Sequence, residues 1–245
     1  MENHTWGTVI GSPSAPYLTA LAHECGTGTN VASVGSPSLP NYLGATSGST
    51  QAIADDGDPA AHSFSAANVF GQVRAEGGTE RSFVESMPEA CDLVSAGSYA
   101  AKHNPAVYYV GAGDRVACQA DDLPFSAFSA VLASGTLPTY TSITPNLCDD
   151  MHDCSVATGD QWLSEWVPRI LATPSFRSGT TALFIEWDEP TPVANVVVAP
   201  SMRPGSVSNV AASQYSLLRA TEEMLGLALL GQAVTATSPR TVFGI

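Results

Sequence analysis

Thr181-Ala-Leu-Phe-Ile-Glu-Trp-Asp-Glu189 is an apolar, strand-type run that stops abruptly on acidic residues. A buried strand with a charged exit is what an open α/β sheet presents at its carboxyl edge, where ligand and catalytic groups gather. Adjacent side chains on a strand face opposite ways, but at its frayed end Asp188 and Glu189 can both turn toward one ion. Working outward, short β-branched or aromatic runs at 30–34, 107–110, 139–144 and 195–199 read as further strands. Helical patterns fall at 15–24, 66–74, 124–133, 161–171 and 214–225. Alternation of the two predicts an α/β fold with a mostly parallel sheet covered by helices. Gly/Ser/Asp-rich stretches at 44–64 and 201–213 read as loops, and no composition shift marks a boundary, so residues 1–245 are expected to form one domain.

The chain has 9 Lys+Arg against 23 Asp+Glu, a formal net charge of −14. Such a surface repels polyanions, which argues against nucleic acid as a partner. An anionic substrate then needs a local positive site, and Lys102, the only lysine, stands beside His103. No apolar run approaches the roughly 20 residues of a membrane span, and residues 1–25 lack the basic start and apolar stretch of a signal peptide. Of the five cysteines, Cys148 and Cys154 are close enough to staple a loop, Cys91 and Cys118 could close a longer one, and Cys25 is left over. Without a C-x-x-C pair or a zinc-type His/Cys cluster, disulfides and an extracytoplasmic location are the expectation.

Polar residues far apart in sequence add up to one chemistry. Glu2, Asn3, Asp188 and Glu189 offer hard oxygen donors for a divalent cation, Ser38 a hydroxyl nucleophile, and His103 and His152, with Asp150, proton-transfer groups. That set suits metal-assisted phosphoryl transfer. A short repeat, Gly11-Ser-Pro-Ser-Ala-Pro-Tyr and Gly35-Ser-Pro-Ser-Leu-Pro-Asn-Tyr, makes Ser14 and Ser38 rival nucleophiles. Ser38 follows an apolar run and starts a helix, whose free N–H groups favour phosphate. Neither a Gly-x-Ser-x-Gly elbow, a P-loop nor a Gly-x-Gly-x-x-Gly motif is present, which lowers esterase, NTPase and dinucleotide readings.

At these residues the chain resembles the bacterial and fungal phosphoesterase family of secreted acid phosphatases and phospholipases C, within the alkaline phosphatase superfamily. The resemblance runs through Met1-Glu-Asn-His, Pro37-Ser-Leu-Pro-Asn-Tyr-Leu, Asp55-Asp-Gly-Asp-Pro, Glu85-Ser-Met-Pro, Lys102-His-Asn-Pro, Pro145-Asn-Leu-Cys-Asp-Asp-Met-His-Asp-Cys, Trp187-Asp-Glu and Tyr215-Ser-Leu-Leu-Arg. It implies a three-layer αβα sandwich and a secreted, metal-dependent phosphomonoesterase of the short acid phosphatase branch, acting on a small phosphomonoester. The ion would be Ca, Mg, Mn or Zn, held by Glu2, Asn3, Asp188, Glu189 and Ser38. Ser38 would be the nucleophile, with His103, Asp150 and His152 around the phosphoryl group and Asn3, Asn41 and Lys102 at the substrate.

The chain departs from the family at two points. Gln214 stands where many relatives carry His, and the apolar strand that precedes Glu-Asn-His in the family has no counterpart before Met1. A central strand is therefore expected to be missing, leaving its neighbours unpaired. Two rival functions stay open on this reading, a phosphodiesterase of phospholipase C type and a non-catalytic secreted protein that binds phosphate or metal.

Overall fold

A computed structural model describes all 245 residues. Nine strands form: β1 (Gly26–Gly28), β2 (Val31–Ala32), β3 (Glu80–Val84), β4 (Asp122–Pro124), β5 (Tyr140–Thr144), β6 (Leu183–Glu186), β7 (Asn195–Val198), β8 (Ser206–Ser208) and β9 (Ala212–Ser213). Interleaved with them are helices α1 (Trp6–Val9), α2 (Pro16–Glu24), α3 (Ser38–Ser47), α4 (Val69–Ala75), α5 (Asp114–Asp121), α6 (Phe128–Ser134), α7 (Val156–Leu171), α8 (Pro174–Arg177), α9 (Gln214–Leu225) and α10 (Pro239–Phe243). The α/β class expected from the sequence holds, with mixed sheets. One continuous, mostly parallel sheet is not what the strands make, because they divide into β6-β7-β1-β8, β2-β9 and β4-β3-β5. Pairs β1–β8, β2–β9, β3–β4 and β3–β5 are parallel, whereas β1–β7 and β6–β7 are antiparallel.

Local chemistry explains most boundaries. In α7 the Ser155 hydroxyl accepts from the Thr158 N–H, and α9 begins with a reciprocal Ser213/Ser216 capping box. Helix α3 ends at Gly48, whose φ of 69° is left-handed and whose added Cβ would lie 2.3 Å from the Leu230 carbonyl oxygen, so only glycine fits. Helix α2 receives its cap from a distance: Asp160 on α7 accepts from the Tyr17 and Leu18 N–H groups, at 3.1 and 2.8 Å.

Three expected elements differ. The run 30–34 pairs only over Val31–Ala32, because the Val34 and Gly35 N–H groups donate to Asn41 Oδ1 instead of to a ladder. Residues 107–109 are apolar because they are buried, not because they form a strand, and Val110 is exposed. Pro105–Tyr108 is a 3-10 turn, the Val107 carbonyl is taken by Arg115, and only Tyr109 makes an isolated bridge, to Phe64. The pattern 124–133 opens as strand β4 and becomes helical only at α6, after the 3-10 turn Phe125–Ala127.

Of four apolar clusters, two large ones carry most of the core. One gathers Leu18, Met151, Leu163, Ile185, Trp187, Val193 and Val196 beneath α2 and α7. The other gathers Leu39, Leu43, Phe70, Val107, Tyr109 and Leu218 beneath α3 and α9. Each fully buried Leu, Val or Phe contributes about 1.5–3 kcal/mol. Cys91 pairs with Cys118 and Cys148 with Cys154, while Cys25 is free.

Candidate active site

The chain from Met1 to Trp6 lies along the exit of β6. The Met1 amino group donates to the Glu186 carbonyl, the Asp188 N–H donates to Met1, and the Ala194 N–H donates to His4. Glu2, fully buried, is fixed from the other side by its own N–H, which donates to the Asp150 carbonyl at 2.8 Å. Asp150 lies inside the Cys148–Cys154 loop, and that loop is anchored by Met151, whose side chain enters the first apolar cluster.

Ser38 is the first residue of α3 and is only 2% exposed. The Asn41 amide sets the entry to that helix: its oxygen accepts from Val34 and Gly35, and its nitrogen donates to the Gly35 and Pro37 carbonyls. All of its hydrogen-bonding capacity thus goes into the turn that delivers Ser38. The Ser38 hydroxyl donates to Glu2 Oε2 at 3.1 Å. Its repeat partner Ser14 is exposed, and its N–H donates to the Ser12 hydroxyl.

His103 is buried between two carboxylates, Nε2 at 3.3 Å from Glu2 Oε2 and Nδ1 at 3.1 Å from Asp150 Oδ2. Burial alone would keep this imidazole neutral, but Glu2 and Asp150 outweigh it and raise its pKa to about 9. Burial likewise opposes charge on Glu2, yet His103 and its other partners hold that carboxyl down at about 2. His152 is more open. Its ring lies 5.6 Å from that of His103, Nδ1 meets Asp153 at 2.7 Å, and Nε2 is 3.5 Å from the Lys102 ammonium. Lys102 in turn donates to Asp56 Oδ2 at 2.9 Å.

Asp188 is buried at the end of β6, where Oδ1 accepts from the Asn3 N–H at 3.1 Å and Oδ2 has no partner. Burial first, and then the negative Glu2, push its pKa up to about 7. Asn3 has a left-handed φ of 59° and an exposed side chain, so what it brings to the cluster is its backbone. Glu189 is half-buried and makes no hydrogen bond or ion pair. Gln214, at the first turn of α9, donates to the Trp187 and Asp188 carbonyls, pinning the strand exit from behind.

Two members went unnoticed in the sequence. The Tyr42 hydroxyl donates to Glu2 Oε1 in a short hydrogen bond, and its ring stacks on His103 at 5.4 Å. Four residues beyond Ser38 on one helix, it shares the serine's face, and that spacing was the available signal. Asp56 bridges the Leu39 N–H and Lys102, tying the loop after α3 to the start of that helix. His62 pairs with Asp55 in an exposed loop, outside the cluster.

Hard oxygen donors fit a divalent cation here. Glu2, Asp188 and the Ser38 hydroxyl converge, one carboxylate oxygen of Asp188 is buried without a partner, and two neighbouring buried carboxylates repel each other until a cation sits with them. Glu2, His103 and Asp150 also offer ligand atoms within 4.8 Å of one another.

Residues 11–217, well over half of the chain, match the Phosphoesterase family. The chain belongs to that family. Membership places it among hydrolases of phosphoric esters, as the sequence resemblance implied. Among curated relatives, a phosphatidylinositol-3-phosphatase of Mycobacterium tuberculosis is 29% identical over 99% of this chain and 80% of its own length. A probable acid phosphatase of Kluyveromyces lactis is 25% identical, and a phosphate-repressible acid phosphatase of Penicillium chrysogenum 26%. The chain spans little more than half of those two fungal proteins, 58% and 55%. A crystal structure of an alkaline phosphatase superfamily protein from Vibrio parahaemolyticus superposes with a TM-score of 0.61 at 12% identity, covering 99% of this chain and 70% of that one. At that identity the likeness speaks for the fold alone. No helix is long and apolar enough to cross a membrane.

Proposed function

We propose that this member of the family is a metal-dependent phosphomonoesterase acting through a phosphoseryl intermediate on Ser38. The observation that carries the reading is the convergence, at the start of α3, of a buried serine hydroxyl with Glu2, His103 and Asp150. A divalent cation bound by Glu2, Asp188 and Ser38, with Glu189 as a further candidate ligand and the Asn3 N–H holding Asp188 in place, would supply Lewis-acid activation of the hydroxyl and neutralise charge on the phosphoryl group.

The chain's own residues do the rest. Ser38 Oγ forms the new bond to phosphorus as the ester P–O bond breaks, and its proton has Glu2 Oε2 as the nearest acceptor. His103, held as an imidazolium by two carboxylates, is a fixed positive charge for the phosphoryl oxygens. His152, on the open side and next to Lys102, gives a proton to the departing alcohol oxygen. Lys102 supplies the local positive field that an acidic molecule needs to admit an anion. Water then cleaves the Ser38–phosphorus bond.

Phosphomonoesters are favoured over diesters because three of the named relatives are phosphatases. The two disulfides support an extracytoplasmic location. The superposition on a superfamily structure supports reading residues 1–245 as one domain of three-layer αβα form. Release of p-nitrophenol from its phosphomonoester, with and without chelator, tests the function. Turnover that the chelator abolishes and added metal restores is the expected result. Chelator-insensitive turnover would remove the metal, faster turnover of the bis-ester would favour the phosphodiesterase, and phosphate binding without turnover would make this a binding protein.

A further inference from the structure

The two carboxylates that converge on Ser38 are each held by one oxygen. Glu2 Oε1 accepts the short hydrogen bond from the Tyr42 hydroxyl, and Asp188 Oδ1 accepts from the Asn3 N–H at 3.1 Å. Their second oxygens stay open to the cluster. Glu2 Oε2 meets the Ser38 hydroxyl at 3.1 Å and His103 Nε2 at 3.3 Å, while Asp188 Oδ2 is buried without a partner. Each carboxylate can therefore give a cation a single oxygen unless its protein donor lets go.

Tyr42 is placed for this by its helix and its ring. It stands four residues after Ser38, one turn along α3, so two hydroxyls of one helix face reach the two oxygens of one carboxylate. The ring lies nearly parallel to that of His103, with 16° between the planes and 5.4 Å between the centroids. His103 is itself flanked at both nitrogens, by Glu2 and by Asp150. A ring stacked on a fixed partner has little freedom to turn, so the direction of its O–H, and with it the rotamer of Glu2, is set before any ion arrives.

We propose that Tyr42 is a positioning residue that limits Glu2 to one ligand oxygen, and that the site thereby selects a small octahedral cation, magnesium above all, over calcium. The Asn3 N–H imposes the same limit on Asp188. Calcium takes roughly six to eight oxygens and fills its larger shell by drawing on both oxygens of a carboxylate. Magnesium takes about six, keeps several waters and uses one or two carboxylates beside the phosphate oxygens of a substrate. Two single oxygens and the Ser38 hydroxyl match the second pattern. The selectivity rests on the reading of Glu2, Asp188 and Ser38 as the metal site, and it concerns which ion they hold.

The test needs no turnover. Manganese is loaded into the metal-free protein and displaced with magnesium or calcium, and free manganese is read by electron paramagnetic resonance. Magnesium is expected to displace it at a severalfold lower concentration than calcium. Tyr42→Phe keeps the ring and its stack on His103 but frees Glu2 Oε1, and is expected to move the balance between the two ions about tenfold or more toward calcium. A merely loosened site would weaken both ions alike and leave that balance unchanged. Calcium displacing manganese at the lower concentration in the parent, or an unchanged balance in Tyr42→Phe, would overturn the selectivity while leaving the metal site in place. Failure to bind any of the three ions would remove the metal site and the selectivity together.

Discussion

Replacing Ser38 by alanine separates chemistry from architecture. The serine makes one side-chain hydrogen bond, to Glu2 Oε2, and Glu2 keeps Tyr42 and its backbone bond to Asp150 without it. One such bond is worth about 1 kcal/mol net, which in a domain of this size moves the melting temperature by roughly 2–4 °C. Removing a covalent nucleophile is a different order of effect. A loss of about 10⁵ in kcat corresponds to about 7 kcal/mol of transition-state stabilisation. Rates of p-nitrophenol release at saturating substrate and metal, beside a thermal melt, read both quantities on one sample. The reasoning fails if Ser38→Ala keeps kcat within tenfold of the parent, or if Ser14→Ala is the inactive variant.

Asp188→Asn is expected to lose bound divalent metal and turnover together, by elemental analysis and the same assay, with Glu189 unable to compensate from its half-buried position. Retained metal with near-normal turnover would place the ion elsewhere. Asp122 gives a pH signature away from the site: burial raises its pKa from 3.8 to about 7, against an opposing hydrogen bond from Asn104. Between those values the folded state keeps a proton that the unfolded chain has lost, so stability falls as pH rises from about 4 to about 7, by up to roughly 4 kcal/mol. Asp122→Asn should flatten that part of the stability–pH curve in denaturant titrations, and an unchanged slope would mean that Asp122 is ionised in the native protein.

Much of this architecture was readable because burial leaves a periodic trace. The run 139–144 became β5 almost residue for residue, and 214–225 became α9, its caps written as Ser213, Ser216 and Gly226. Strand β3 escaped notice, since Glu80-Arg-Ser-Phe-Val84 carries two charges at its start, and its Glu80 is tolerated in a buried place only through Arg74. The run at 107–110 misled for the opposite reason, its first three residues being apolar by burial at the end of a 3-10 turn. In the site, chemistry-bearing residues such as Ser38 and His103 announce themselves by type and position after a turn. Asp56 does not, because bridging an N–H to an ammonium depends on long-range geometry that no spacing encodes, and Asn41, expected at the substrate, spends its amide on the turn before α3.

The two apolar clusters have a consequence for how this molecule fails. Glu2, Asp150 and Asp188 are carried by segments rooted in the cluster under α2 and α7, through Met151 and Trp187. Ser38, Tyr42 and His103 sit on segments rooted in the other, through Leu39, Leu43 and Val107. Hydrogen bonds across this seam therefore join two bodies that could each stay folded while the seam parts. A sub-global opening of that kind costs less than full unfolding. Inactivation by denaturant is accordingly expected to precede loss of helical signal, and a cation held by Glu2, Asp188 and Ser38 would act as a clasp between the halves.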